Sequence, residues 1–167
     1  MSPRARKFVL TAHVTASVGW LGGVAGALVL AVAGLASSDA ETVRAAYLAL
    51  ELIGWFLLVP LALASLLTGL VQSLASPWGL IRHYWVLAKL VISVFATFVL
   101  LLYMQTLTSL ADVAAARTSS ADDLTGWESS SPALHAGAAL LLLLVATVLG
   151  MYKPRGLTPY GWRKLQR

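Results

Sequence analysis

The sequence predicts an all-α fold: a polytopic membrane protein built as a four-helix transmembrane bundle in a single domain, with both termini cytoplasmic. Three observations predict it. Of the 167 residues 59% are hydrophobic and 11% charged, and the mean hydropathy is +0.80, which leaves too little charge to cover a soluble domain. Four apolar stretches, near 8–35, 43–75, 84–104 and 132–152, each reach the roughly 20 residues a helix needs to cross a bilayer. They are too long and too uniformly apolar for barrel strands, and lipid forces the backbone to satisfy its own hydrogen bonds, which favours helices. Finally, the basic residues segregate. Arg4, Arg6 and Lys7 precede span one, Arg82 lies between spans two and three, and Lys153, Arg155, Arg163, Lys164 and Arg167 form the tail, all on one side. The opposite connections hold Asp39, Glu41, Asp112, Asp122, Asp123 and Glu128, with only Arg44 and Arg117 as cations. That bias places the basic side in the cytoplasm of a multi-pass cell-membrane protein.

Span one, "HVTASVGWLGGVAGALVLAVAG", carries overlapping small-xxx-small pairs at Gly19/Gly23 and Gly22/Gly26, which let another backbone or a flat ligand approach closely. Its apolar run is far longer than the roughly 7–15 residues of a signal-peptide core. Span two gathers its small and polar residues on one face: Glu51, Trp55, Leu58, Ala62, Ser65, Gly69 and Gln72, with Gly54 and Thr68 beside it, so that face turns from lipid. Pro60 removes a hydrogen bond within this span and predicts a kink there. Span three places Lys89, Ser93, Ala96, Thr97 and Leu100 on one face, with Tyr103 near its outer end. The connection at 105–131 is an extracytoplasmic loop that begins as a helical continuation, "TLTSLADVAAAR", and then turns polar, giving a lid or an open segment. Span four ends at the basic tail 153–167, whose interleaved aromatics and cations suit anionic lipid headgroups. Trp78, Trp85, Tyr160 and Trp162 fall near predicted boundaries, where amphipathic rings favour the interface.

The candidate site residues are the few ionisable groups in or beside the bilayer. A lysine at mid-bilayer costs roughly 3 kcal/mol on insertion scales, so Lys89 needs a partner, water or an escape to the headgroups. His13 follows Lys7 by six residues and Lys89 follows Arg82 by seven, so at about 1.5 Å per residue both rise to a similar depth. The two could share one inner site, with His13 as the metal ligand; snorkelling of Lys89 and a simple interhelical hydrogen bond of His13 are the plainer alternatives. His83 lies about 240° round the helix from Lys89 and reads as interfacial, a substitute ligand if the loop bends it inward. Glu51, His135 and Tyr103 approach the outer boundary from three spans and form an outer polar site for protons, quinone or a second ligand.

With no cysteine the chain has no disulfide, iron–sulfur cluster or thiolate zinc site. It lacks HExxH, CxxC, Walker and GxSxG motifs, and nothing in the charge distribution points to nucleic acid. Histidine suits haem iron, and a membrane bundle can hold a porphyrin between facing helices.

"TAHVTASVGWLGG" has a histidine followed seven residues on by tryptophan and then a glycine pair. It resembles the first-span pattern of the CopD-like superfamily, whose HemJ-type protoporphyrinogen oxidases bind a b-type haem. Lys89 in "HYWVLAKL" looks like the lysine that those enzymes carry early in a later span. The resemblance implies haem b at His13 and Lys89, and membrane electron transfer or porphyrin redox chemistry. Most of the chain also resembles a family of four-span actinobacterial-type membrane proteins, through "SPWGLIRHYWVLAKL" and "YKPRGLTPYGWRK". The other class of function is a small transporter, or a subunit that packs its polar faces against a homo-oligomeric copy or another membrane protein without a cofactor.

Overall fold

The computed structural model of the chain describes residues 1–76, 79–115 and 127–166. Trp78, Arg117, Asp122, Asp123, Arg167 and the polar half of the long connection lie outside them. The described elements are α1 (Pro3–Ala36), α2 (Ala40–Ile53), a π-helical turn (Gly54–Leu58), α3 (Val59–Leu74), α4 (Tyr84–Ala115), α5 (Trp127–Tyr152) and α6 (Pro159–Leu165). Helices α2 and α3 with the turn between them make one span, so four helices are long and apolar enough to cross a membrane. The fold is the expected all-α, four-helix membrane bundle. We call the end that carries both termini the basic end and the other the acidic end.

The helix limits follow from local chemistry. Ser2 caps α1 by accepting from the Ala5 amide at 3.3 Å, with Pro3 at the first helical position, where its missing N–H costs nothing. Asp39 caps α2, accepting from the Thr42 amide at 3.0 Å and its hydroxyl at 2.7 Å. The Thr42 hydroxyl and the neighbouring amides hold the Asp39 carboxyl below its ordinary range. Span three runs on to Ala115, so "TLTSLADVAA" is helical as read. At 34 residues α1 is about 51 Å long, which exceeds a bilayer core of roughly 30 Å.

The irregularity in span two falls one turn before Pro60. The Val59 amide reaches back five residues to the Gly54 carbonyl. A proline cannot donate to the carbonyl four residues earlier and clashes with it, and the wider turn relieves that conflict. It also inserts one residue into the helical phase. Leu58, Ala62 and Ser65 are therefore buried as the sequence stripe predicts, while Trp55, inside the widened turn, is swung out to 46% exposure.

The spans pack as antiparallel neighbours. Along α1 the contacts run from Gly34 against Ala46, through Gly23 against Leu58, to His13 against Gly69, a steady antiparallel register. Of the two glycine pairs, Gly19/Gly23 meets span two, whereas Gly22 and Gly26 have open space before them. The core is built largely of alanines, with Trp20, Tyr47 and Met104 among its large members. Large side chains such as Phe56, Phe95, Phe98 and Leu141 point outward. Small residues inside and large apolar ones outside are what close helix packing in lipid demands.

At the basic end the tail folds back on the loop between spans two and three. Thr158 is 7% exposed. Its amide donates to the Arg82 carbonyl at 3.0 Å, and its hydroxyl donates to the Ile81 carbonyl at 2.6 Å. The same hydroxyl caps α6 by accepting from the Gly161 amide at 3.2 Å. Leu157 and His83 form a single antiparallel bridge, and the Tyr84 amide donates to Gly156. The two sequence stretches that flank spans three and four thus form one clasp. Thr158→Val removes the cap and one interloop bond, worth about 1 kcal/mol each. Trypsin cleavage at Arg155 is expected to quicken several-fold in the variant, and an unchanged rate would show that the tail is not held this way.

Candidate functional site

Two imidazoles, at opposite ends of the bundle, are held by the same device. His13 on α1 reaches across to α3, where Nδ1 lies 3.0 Å from the Ser65 carbonyl and 3.2 Å from Thr68 Oγ1. A carbonyl only accepts, so Nδ1 is the donor, and in the neutral ring Nε2 keeps its lone pair. Gly69 provides the seat: a Cβ there would lie 2.8 Å from His13 Cε1. One turn further on, Ser17 and Ser65 share a hydroxyl contact of 2.8 Å. Sequence spacing placed Ser65, Thr68 and Gly69 on the inward face, and this is what they face.

Lys89 turns inward with Ala96 and Thr97, as its helical face predicts. Its Nζ rests on Gly150 of α5, where a Cβ would lie 2.8 Å away. It lies within electrostatic range of both Lys153 and His13. His13 and Lys89 do not share a partner. His13 bonds to span two and Lys89 lies along span four. His83 belongs to the clasp, with its ring 6.5 Å from that of Trp85.

At the acidic end the Tyr103 and His135 rings stack with centroids 3.9 Å apart and 14° between planes. His135 Nδ1 lies 2.9 Å from the Ser131 carbonyl and 3.3 Å from the Ser131 hydroxyl, again leaving Nε2 as the acceptor. Tyr103 donates to the same hydroxyl at 3.1 Å. Ser131 was not singled out from sequence, although the spacing Ser131-x3-His135 sets both on one face of a helix. Glu51 is half-buried and no described contact joins it to Tyr103 or His135. The expected triad is thus a pair plus a serine.

That pair lines a cavity of about 240 Å³. Trp20, Val24 and Ala27 of α1, Leu50 and Leu58 of span two, and Phe95 to Leu107 of α4 close three sides, and α5 supplies the fourth through Ala136 and Ala139. Apart from Tyr103, His135 and the Trp20 indole, the lining side chains are hydrocarbon. The shape is that of a small-ligand site, apolar with few polar groups, although its volume falls below the roughly 300–1,000 Å³ typical of drug-sized ligands.

Comparison with family models, curated proteins and solved structures found no match. For a porphyrin, the donor chemistry of His13 fits, since a neutral imidazole with a fixed tautomer is a good iron ligand. The cavity at the acidic half touches neither His13 nor Lys89. No group of three or more metal-ligating side chains occurs among the described residues.

Proposed function

We propose that this multi-pass membrane protein binds a lipid-dissolved molecule with an apolar body and a hydroxyl head, of the hydroquinone class, in the cavity at the acidic half of the bundle. One observation carries the reading. Besides the Trp20 indole, Tyr103 and His135 bring polar groups to the cavity wall, and His135 has its Nδ1 hydrogen committed to the Ser131 carbonyl. The neutral imidazole therefore offers an acceptor, which selects a ligand that donates. The apolar lining takes the ring, and burial of each ring carbon adds to affinity at roughly 25 cal/mol per Å². Phe95 lines the cavity and is 55% exposed, so entry from lipid fits this reading.

A brominated short-chain hydroquinone tests it through heavy-atom quenching of Trp20, which lines the cavity and is 2% exposed. Saturable quenching is expected in the wild type and is expected to vanish in Trp20→Phe. The reduced probe is expected to bind more tightly than its quinone, and His135→Ala to erase that preference, a change of roughly tenfold for one hydrogen bond. Quenching that does not saturate, or that ignores His135, would refute it.

A second reading keeps the b-type haem implied by the resemblance and rests on the free Nε2 lone pair of His13. Haem bound there would supply one-electron chemistry. On this reading haem titration into purified protein gives a Soret band that His13→Ala abolishes. Absence of the band ends it.

A further inference from the structure

A hydroxyl on a membrane helix commonly gives its hydrogen to the carbonyl one turn back. Thr11, Thr68, Ser73, Ser109 and Thr147 do so, to Lys7, Ala64, Gly69, Gln105 and Leu143. Thr97 does not. It is 4% exposed, the Ser93 carbonyl lies one turn behind it, and its hydroxyl has no partner among the described residues. The side-chain carbonyl of Gln72 is buried in the same condition. Ser17 and Ser65 touch at 2.8 Å, and a contact of two hydroxyls uses one hydrogen, so the second is left to give. His13 adds the Nε2 lone pair, because Nδ1 is occupied by the Ser65 carbonyl.

These groups follow one another through the basic half of the bundle. Ser65, Gly69 and Gln72 share a face of α3, and the first two meet Ser17 and His13 of α1, so Gln72 continues that face toward the basic end. Thr97 comes from α4, which packs on α3. The Trp55 indole donates to Thr108 at 3.4 Å, which sets those two positions at about one level. Ser65 lies ten residues on from Trp55, and Thr97 eleven back from Thr108. At about 1.5 Å per residue the two buried side chains therefore differ in depth by only a few ångström. The cavity begins beside them: Ala96, next to Thr97, and Trp20, one turn on from Ser17, both line it.

Buried polar groups without a protein partner are satisfied in native proteins by ordered water. We propose that the basic half of the bundle holds a water-filled half-channel that enters at Gln72, passes His13 and the Ser17–Ser65 pair, and ends at Thr97 beside the cavity, giving the cavity proton access from the basic end. Protons pass by exchange. Each hydroxyl takes one hydrogen as it gives another, and His13 Nε2 accepts and returns one while Nδ1–H stays on the Ser65 carbonyl, so every group ends with the hydrogens it began with. The half-channel is independent of which molecule the cavity takes.

The chain contains two Ala-Thr pairs, Ala96-Thr97 and Ala146-Thr147. Labelling alanine at its carbonyl carbon and threonine throughout therefore singles out two threonines for solid-state NMR of the full chain in bilayers. Thr97 is the test, and Thr147, exposed and with its hydroxyl spent on Leu143, is the control. Magnetisation transfer from water is expected to reach Thr97 several-fold faster than Thr147. Gln72→Met, which keeps the side-chain length and removes the amide, is expected to abolish that advantage, and Gln72→Asn to keep most of it. Ser17→Val, which fills the column halfway, is a second block with the same expected loss, and the His13 ring signals report that the fold of each variant is intact. Transfer to Thr97 as slow as to Thr147 in the wild type would overturn the proposal. Fast transfer that both blocks leave unchanged would overturn it too, because the water would then be trapped locally or enter from the acidic end.

Discussion

The constraint on which the site depends is that a polar side chain within a membrane bundle must find its partner inside the protein. Both His13 and His135 meet it in one way, giving Nδ1–H to a serine main-chain carbonyl at 3.0 and 2.9 Å, with a hydroxyl close by. Each carbonyl already serves its own helix, so the imidazole uses a second lone pair that the backbone leaves over. The consequence is chemical as well as structural. With Nδ1 occupied, each neutral ring exposes an acceptor, and the tautomer is fixed before any ligand arrives. The two rings then differ by surroundings: His13 is seated on Gly69 in a close interhelical contact, while His135 stacks on Tyr103 at the wall of a cavity.

The bundle separates its chemistry by depth. Small residues and the Gly19/Gly23 face bring α1 close to span two, and this tight seam carries His13. Across the bundle, the alanines of α5 at 136 and 139 leave space against the larger α4 side chains, and the cavity forms there. Charge follows the same division, with acidic residues towards one end and Lys89 and Lys153 at the other. The clasp made by Thr158 fixes the loop that leads into α4, and so sets the helix start from which Lys89 is measured.

Much of this was legible in the residues themselves. The four spans follow from apolar length, and the inward turn of Ser65, Thr68, Ala96 and Lys89 follows from helical spacing, because a 3.6-residue period is a local property. Trp55 shows where that logic stops. The π turn before Pro60 inserts a residue and moves Trp55 off the predicted face, a choice made by backbone sterics that a uniform 100° step cannot register. Depth matching expects His13 and Lys89 at one level, but depth does not say which neighbour a side chain crosses to, and they cross to different ones. The Leu157–His83 bridge was missed for a related reason, since it joins two segments, whereas the Ser131–His135 contact lay within reach of periodicity in one helix.

The most direct test of the central claim is the nitrogen-15 shift of the two ring nitrogens of His13 and His135 in selectively labelled protein in bilayers at a pH where both rings are neutral. The structure predicts a protonated Nδ1 and an unprotonated Nε2 at both residues, with the His135 Nε2 signal moving when hydroquinone is added and the His13 signal staying in place. A hydrogen on Nε2 of His135, with Nδ1 bare, would contradict the account, because the cavity would then offer a donor where an acceptor is required.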